Sequence, residues 1–176
     1  MSDSQIIFGQ EEIEAMLKDM AGRICRGGEG APCLVGIRTG GAYLSHRLAM
    51  IINPGPGGPV RQGAVDINLY RDDWSLRHIK PRLGGTEIDF DLRDQRIILV
   101  DDVLYTGRTV RAALDAILDL GRPRRIELAA LIDRGGRELP IAPDYVGAAL
   151  DARPGQRVDV LLRESGHGRD EVRLLF

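Results

Sequence analysis

Four apolar residues, Ile97 to Val100, run directly into two adjacent carboxylates, Asp101 and Asp102, and then into the loop Val103-Leu104-Tyr105-Thr106-Gly107-Arg108-Thr109. An apolar run without polar alternation fits a strand buried on both faces, as in a parallel sheet covered by helices. Two like charges at the end of such a strand are costly. Each loses hydration, and each raises the other's cost of ionising. The segment therefore demands a compensating group or a ligand at the carboxyl end of that strand.

The rest of the chain repeats the same grammar. Ile13, Met16, Leu17, Met20 and Ile24 recur at three- and four-residue steps, the spacing of one helical face. "CLVGIR" reads as a short buried strand, broken by "TGG" before a second helical pattern from Tyr43 to Ile52. "NPGPGGP" is turn chemistry between elements, and "GAVDINLY" alternates like a strand. After the acid pair, "RTVRAALDAILDLG" reads as a helix ending at Gly121, with Pro123 preventing continuation. "RIELAALID" is a further buried strand, and "VDVLL" and "EVRLLF" two shorter ones. Strand and helix in alternation predict an α/β fold with a parallel sheet and crossover helices. The 176 residues suit a single domain, 1–176, with a sizeable core.

No apolar run approaches the ~20 residues that span a bilayer, and the N-terminus lacks a secretory signal pattern. Cys25 and Cys33, the only cysteines, are expected to be reduced packing residues of a cytoplasmic protein. His46, His78 and His167 are scattered, so no histidine metal site is expected. The net charge of −2 argues against nonspecific attraction to nucleic acid. Lys18 and Lys80 are the only lysines among 24 basic residues, leaving 22 arginines whose placement, not number, carries information.

The loop after the acid pair has the parts of a phosphate cradle. Gly107 permits a turn that a side chain would obstruct, and the following helix N-terminus attracts an anion. Thr106 and Thr109 add hydroxyl donors, while Asp101 and Asp102 can accept from vicinal hydroxyls or face a divalent cation. Together these describe a site for a ribose 5-phosphate. An isolated Asp-Asp pair would read as a helix cap; the coincidence of parts favours the ligand. Neither a Walker A loop nor a GxGxxG turn is present.

The stretch Arg96 to Thr109 resembles the phosphoribosyl diphosphate (PRPP) motif of type I phosphoribosyltransferases. The blocks "LVGIRTGGAYLSHRLA", "DINLYRDDWS", "VDDVLYTGRTVRAALDAILDLGRP" and "LIDRGGRELPIAPDYVG" are similar to the PyrR family, regulators of pyrimidine operons with uracil phosphoribosyltransferase activity. The resemblance implies a central, mostly parallel sheet flanked by helices, with a small hood subdomain. It implies transfer from PRPP to uracil, giving UMP and pyrophosphate, with Mg2+ accompanying PRPP and no direct ligation of the metal by protein. Asp101 and Asp102 would bind the ribose hydroxyls, and Val103 to Thr109 the 5-phosphate. Arg38, Thr39, Gly40 and Gly41 would hold pyrophosphate, although better-known members carry an arginine where Gly40 stands. Arg71, in a mobile loop over residues 70–75, is a further pyrophosphate candidate, and Trp74 could cover the ligand. Leu131, Tyr145 and Val146 are expected near uracil. Members acting on 6-oxopurines usually carry an acid where Tyr105 stands, which favours a pyrimidine.

The resemblance also implies regulation through messenger RNA, with UMP or UTP as signal, by a homodimer or higher homo-oligomer. Arg122, Arg124, Arg125, Arg134 and Arg137 lie in one segment, and Arg125 and Arg137 are the RNA-binding candidates. Against this, the family often has a histidine at Gly136, and no aromatic residue interleaves with these arginines. Three readings stay open: an active uracil enzyme that also regulates, an RNA-binding sensor whose phosphoribosyl site only detects nucleotides, and a transferase for another base.

Overall fold

The computed structural model describes residues 4–53, 60–68 and 85–176. The loop over residues 70–75, with Arg71 and Trp74, lies outside the described residues, as does His78.

Five strands make the central sheet, all parallel, in the order β3 (Arg61–Val65), β2 (Cys33–Ile37), β4 (Arg96–Leu104), β5 (Arg125–Asp133), β6 (Tyr145–Ala149). β4 is central because its apolar run can be buried on both faces. Ile98 and Val100 join one core, while Ile97 and Leu99 join the other. α1 (Gln10–Arg26) and α2 (Gly40–Ile52) cover the first face, burying Ile13, Leu17, Met20, Ile24, Leu44 and Leu48. α3 (Arg108–Leu120) covers the second through Val110, Ala112, Ala113, Ala116 and Ile117.

The expected helices are found, with α2 beginning at Gly40, three residues before the apolar pattern. The strand expected over "GAVDINLY" is β3, which starts at Arg61 and ends at Val65. Beyond it, the side chain of Asp66 accepts the N–H of Asn68, a local turn that competes with the ladder. Cys33 packs in the core as expected, but Cys25 is exposed on α1. No helix of the described residues is long and apolar enough to cross a membrane.

A second sheet of three antiparallel strands, β1 (Ser4–Phe8), β8 (Glu171–Leu175) and β7 (Arg157–Leu161), forms the hood. β1 was not legible in the sequence because its apolar content is only "IIF" and it is half exposed. Arg47 of α2 braces this hood. Its guanidinium bonds Asp170 at 2.6 and 3.0 Å and Glu164 at 2.7 Å through Nε, and Asp170 is fully buried. Burial alone would raise the Asp170 pKa, but the bonds from Arg47 and the Arg163 N–H outweigh it and hold it below the usual range. The Arg47 bond likewise lowers Glu164.

Removing Arg47 leaves a buried carboxylate unpaired, so Arg47→Met is expected to cost about 3–5 kcal/mol, measured by urea unfolding. Because both carboxylates are held low, their stabilisation is present above the unfolded pKa and lost as pH falls through the folded one. Wild-type stability should therefore drop below about pH 4, whereas the Arg47→Met variant should show a flatter acid limb.

Candidate active site

β4 ends between β2 and β5, so Asp101 and Asp102 stand at the carboxyl edge of the sheet, where parallel α/β sheets bind ligands. Asp101 is buried and its Oδ1 accepts the N–H of Asp102 at 3.0 Å; Asp102 Oδ1 accepts the N–H of Val103 at 2.8 Å. Burial raises the Asp101 pKa well above the carboxylate range, and the neighbouring Asp102 charge raises it further. Burial also raises Asp102. The pair is poised to meet positive charge or hydroxyl donors.

Two helix N-termini face this edge, and at neither does the N-cap residue's own side chain make a capping bond. α3 starts from Gly107, whose left-handed φ of 91° suits a residue without Cβ, and neither helix has an acid in its first turn. At α3 the Thr106 hydroxyl oxygen accepts the Arg108 N–H at 3.3 Å. α1, elsewhere in the fold, has the opposite arrangement: Glu12 accepts the N–H of Gly9 at 2.8 Å, and Glu11 and Glu12 occupy its first turn. An anion at α3 would meet the remaining first-turn N–H groups together with the Thr106 hydroxyl.

The phosphate loop is held from outside. The Thr106 carbonyl accepts the N–H groups of Glu138 and Leu139 at 3.0 and 3.1 Å, and Arg108 pairs with Glu138 at 2.7 Å. Arg137 donates to the Tyr105 carbonyl at 2.9 Å, to the Ile141 carbonyl at 2.9 Å and to Asp133 at 2.7 Å. Leu104 belongs to the core rather than to the cradle, while Thr106 and Thr109 are half-buried at the loop surface.

Gly40 explains the missing arginine. A Cβ there would lie 2.1 Å from Asp102 Oδ2, so any side chain at this position displaces the carboxylate. Thr39 precedes α2 across a cis peptide from Arg38, and Gly41 lies against the Val100 carbonyl. The Arg38 guanidinium pairs with exposed Glu87 at 2.8 Å.

A cavity of about 430 Å³ opens between the phosphate loop and the hood, lined by Val103, Tyr105, Arg134 and residues 155–158. That volume falls in the ~300–1,000 Å³ range of small-molecule sites. Val103, which lines the cavity, directly follows Asp102 in β4, so the cavity opens one residue along the strand from the acid pair. Arg134 was grouped with the other arginines of its segment, and residues 155–158 were not singled out in the sequence. Nothing in their spacing ties "GQRV" to the acid pair.

The three residues expected near the base, Leu131, Tyr145 and Val146, do not line this cavity. Tyr145 is buried at the amino end of β6, donating to Glu127 at 3.0 Å and accepting from Arg96 at 2.9 Å. Leu131 is core, and the Val146 carbonyl accepts from Arg23. The arginines expected in one patch are also separated. Arg125 opens β5 and Arg137 follows its far end, with about 26 Å of strand between. Among the described residues, no group of three or more His, Cys, Asp or Glu could hold a metal ion.

A parallel sheet with an acid pair and a glycine-started helix at its carboxyl edge defines a phosphoribosyl-binding domain. The family model described as phosphoribosyl transferase domain matches residues 5–158. Curated relatives called Bifunctional protein PyrR include one from Chloroflexus aurantiacus, 48% identical over 177 residues, covering 99% of this chain and 97% of the relative. One from Bacillus subtilis is 45% identical and covers 93% of each. The chain belongs to the PyrR family of phosphoribosyltransferase-fold proteins. Among solved structures, a hypoxanthine phosphoribosyltransferase from Trypanosoma cruzi superposes with a TM-score of 0.71 at 19% identity, covering 99% of this chain and 90% of that one. At that identity the likeness speaks for the fold.

Two predictions rest on this geometry. A raised carboxyl pKa adds stability only below the unfolded value, about 3.9, and that is lost as pH rises through the folded value. Asp101→Asn should therefore raise the melting temperature of the ligand-free protein at pH 7.5, by about 2–4 °C for each kcal/mol relieved. The gain should shrink as pH approaches 4, as read by thermal denaturation. Arg137→Ala should free the Tyr105 carbonyl and weaken UMP binding about tenfold by calorimetry, because a hydrogen bond from a charged donor is lost.

Proposed function

We propose that this chain transfers the phosphoribosyl group of PRPP to N1 of uracil, making UMP and pyrophosphate. The observation that carries the reading is the acid pair set between two helix N-termini and beside the cavity under the hood. In this reading the 5-phosphate sits on the amides and hydroxyls of residues 105–109. Pyrophosphate lies over residues 38–41, with Arg71 as a further candidate contact. Asp101 and Asp102 accept the ribose hydroxyls and face the positive charge that develops at the anomeric carbon. The bond to pyrophosphate breaks as the bond to N1 forms, the bonding pair leaves with pyrophosphate, and the N1 proton passes to solvent. Mg2+ entering with PRPP would supply charge neutralisation for the leaving group. The base occupies the cavity lined by Val103 and residues 155–158, in place of a site at Leu131, Tyr145 and Val146. Tyr105, where purine-specific members carry an acid, supports a pyrimidine.

The name that the relatives share, Bifunctional protein PyrR, supports a second activity. We read it as uridine-nucleotide-dependent RNA binding by a homo-oligomer. Arg125, with its side chain 56% exposed, stays a candidate contact there, whereas Arg137 acts on the phosphate loop.

One experiment with two arms tests the proposal. Pyrophosphate release from Mg–PRPP is measured against free bases, and a pyrimidine-operon leader is titrated by gel shift with and without UMP. Release with uracil, and a loss of about 10²-fold or more in kcat for Asp102→Asn, are expected. Release with no base, together with UMP-responsive leader binding, would leave a sensor in place of an enzyme.

A further inference from the structure

Arg134 directly follows β5, and its main-chain N–H donates to the Leu104 carbonyl at 3.1 Å. Its side chain is thereby held over the phosphate loop, with the guanidinium carbon 3.7 Å from the centre of the Tyr105 ring. Gly136 gives that ring its seat: a Cβ there would lie 2.5 Å from Tyr105 Cε2. The residue is only 8% exposed, yet Nε is buried without a hydrogen-bond partner, and among the described residues the guanidinium makes no ion pair. A buried cation is costly unless it is paired, and stacking on one ring offsets part of that cost. An arginine kept in this state lines the cavity beside the acid pair.

The other charged lining group is paired: Arg157 meets Asp159 at 2.6 Å, and the Gln156 carbonyl oxygen accepts the Arg153 N–H at 2.8 Å. Val103 and Val158 supply apolar surface for the faces of a flat ring. No carboxylate lines the cavity among the described residues. The buried group left without a partner there is Arg134, a donor with no acceptor capacity.

We propose that Arg134 reads the base, its guanidinium donating to the C4 carbonyl of the ring and so selecting 2,4-dioxopyrimidines over 4-aminopyrimidines. The inference rests on the cavity being the base site of the reaction proposed above. Uracil offers two carbonyl acceptors on its ring. Cytosine replaces one with an amino donor, which leaves two donors facing each other and both unpaired. Sites built to hydrogen-bond a substrate reject analogues that lack the matching group far more strongly than apolar pockets do.

The test uses Arg134→Met, which keeps an unbranched stem on Tyr105, and Arg134→Lys, which restores a donor. With Mg–PRPP, kcat/KM for uracil should fall about a hundredfold in Arg134→Met, and preference for uracil over cytosine should shrink at least about tenfold. The Kd for PRPP, read by calorimetry, should stay within about twofold of wild type, and Arg134→Lys should recover part of the preference. Unchanged preference in Arg134→Met overturns the proposal. So does a loss of PRPP affinity in step with uracil, which would make Arg134 a support of the phosphate loop. Wild-type protein that releases no pyrophosphate with uracil would instead sink the uracil reading itself, an outcome visible before any variant is made.

Discussion

The desolvated carboxylate pair at the end of β4 is the constraint on which the other parts depend. It can stand there only because β2 and β5 hold β4 on both sides and main-chain N–H groups accept part of the burden. Gly40 follows from it, since the approach of Asp102 leaves no room for a Cβ. The hood follows as well: β7 closes over the pair and brings Asp159 close enough to feel it. Stability is given up at this edge and recovered elsewhere, notably where Arg47 ties α2 to Asp170 and where Arg96 meets Glu127 at 2.5 Å in the core.

The helix ends show the same division. α1 carries two acids in its first turn, one of them accepting the Gly9 N–H, whereas α2 and α3 have no acid in theirs beside the acid pair. Such a helix end costs little when water or a ligand can reach its N–H groups. Positive helix ends and negative carboxylates alternate around one edge, which suits a ligand carrying phosphates at two places and hydroxyls between them.

Much of this was legible in the sequence because it is local. The apolar run, the acid pair, the glycine turn and the helix after it occupy one continuous stretch, so strand, loop and dipole can be read from residues 96–120 alone. The base wall was not legible, since residues 155–158 reach the acid pair only through antiparallel pairing of β7 with β8 in a separate sheet. Tyr145 misled because a phenol near a strand end resembles a ligand contact. Its partners Arg96 and Glu127 are remote in sequence, and only folding shows that they satisfy it. The arginine segment misled in a related way. Closeness in sequence along a strand becomes distance in space, and β5 carries Arg125 and Arg137 to opposite ends of the sheet.

The hood joins β1, near the start of the described chain, to β7 and β8, near its end. During vectorial synthesis the phosphate loop and α3 are made well before the wall that faces them, and Arg137 to Leu139, which hold that loop, come between. A nascent chain can gather the whole central sheet while β1 waits unpaired for β8. The cavity gains residues 155–158 only after the central sheet has been made, so shape-selective binding of a base comes later in synthesis than affinity for a sugar phosphate.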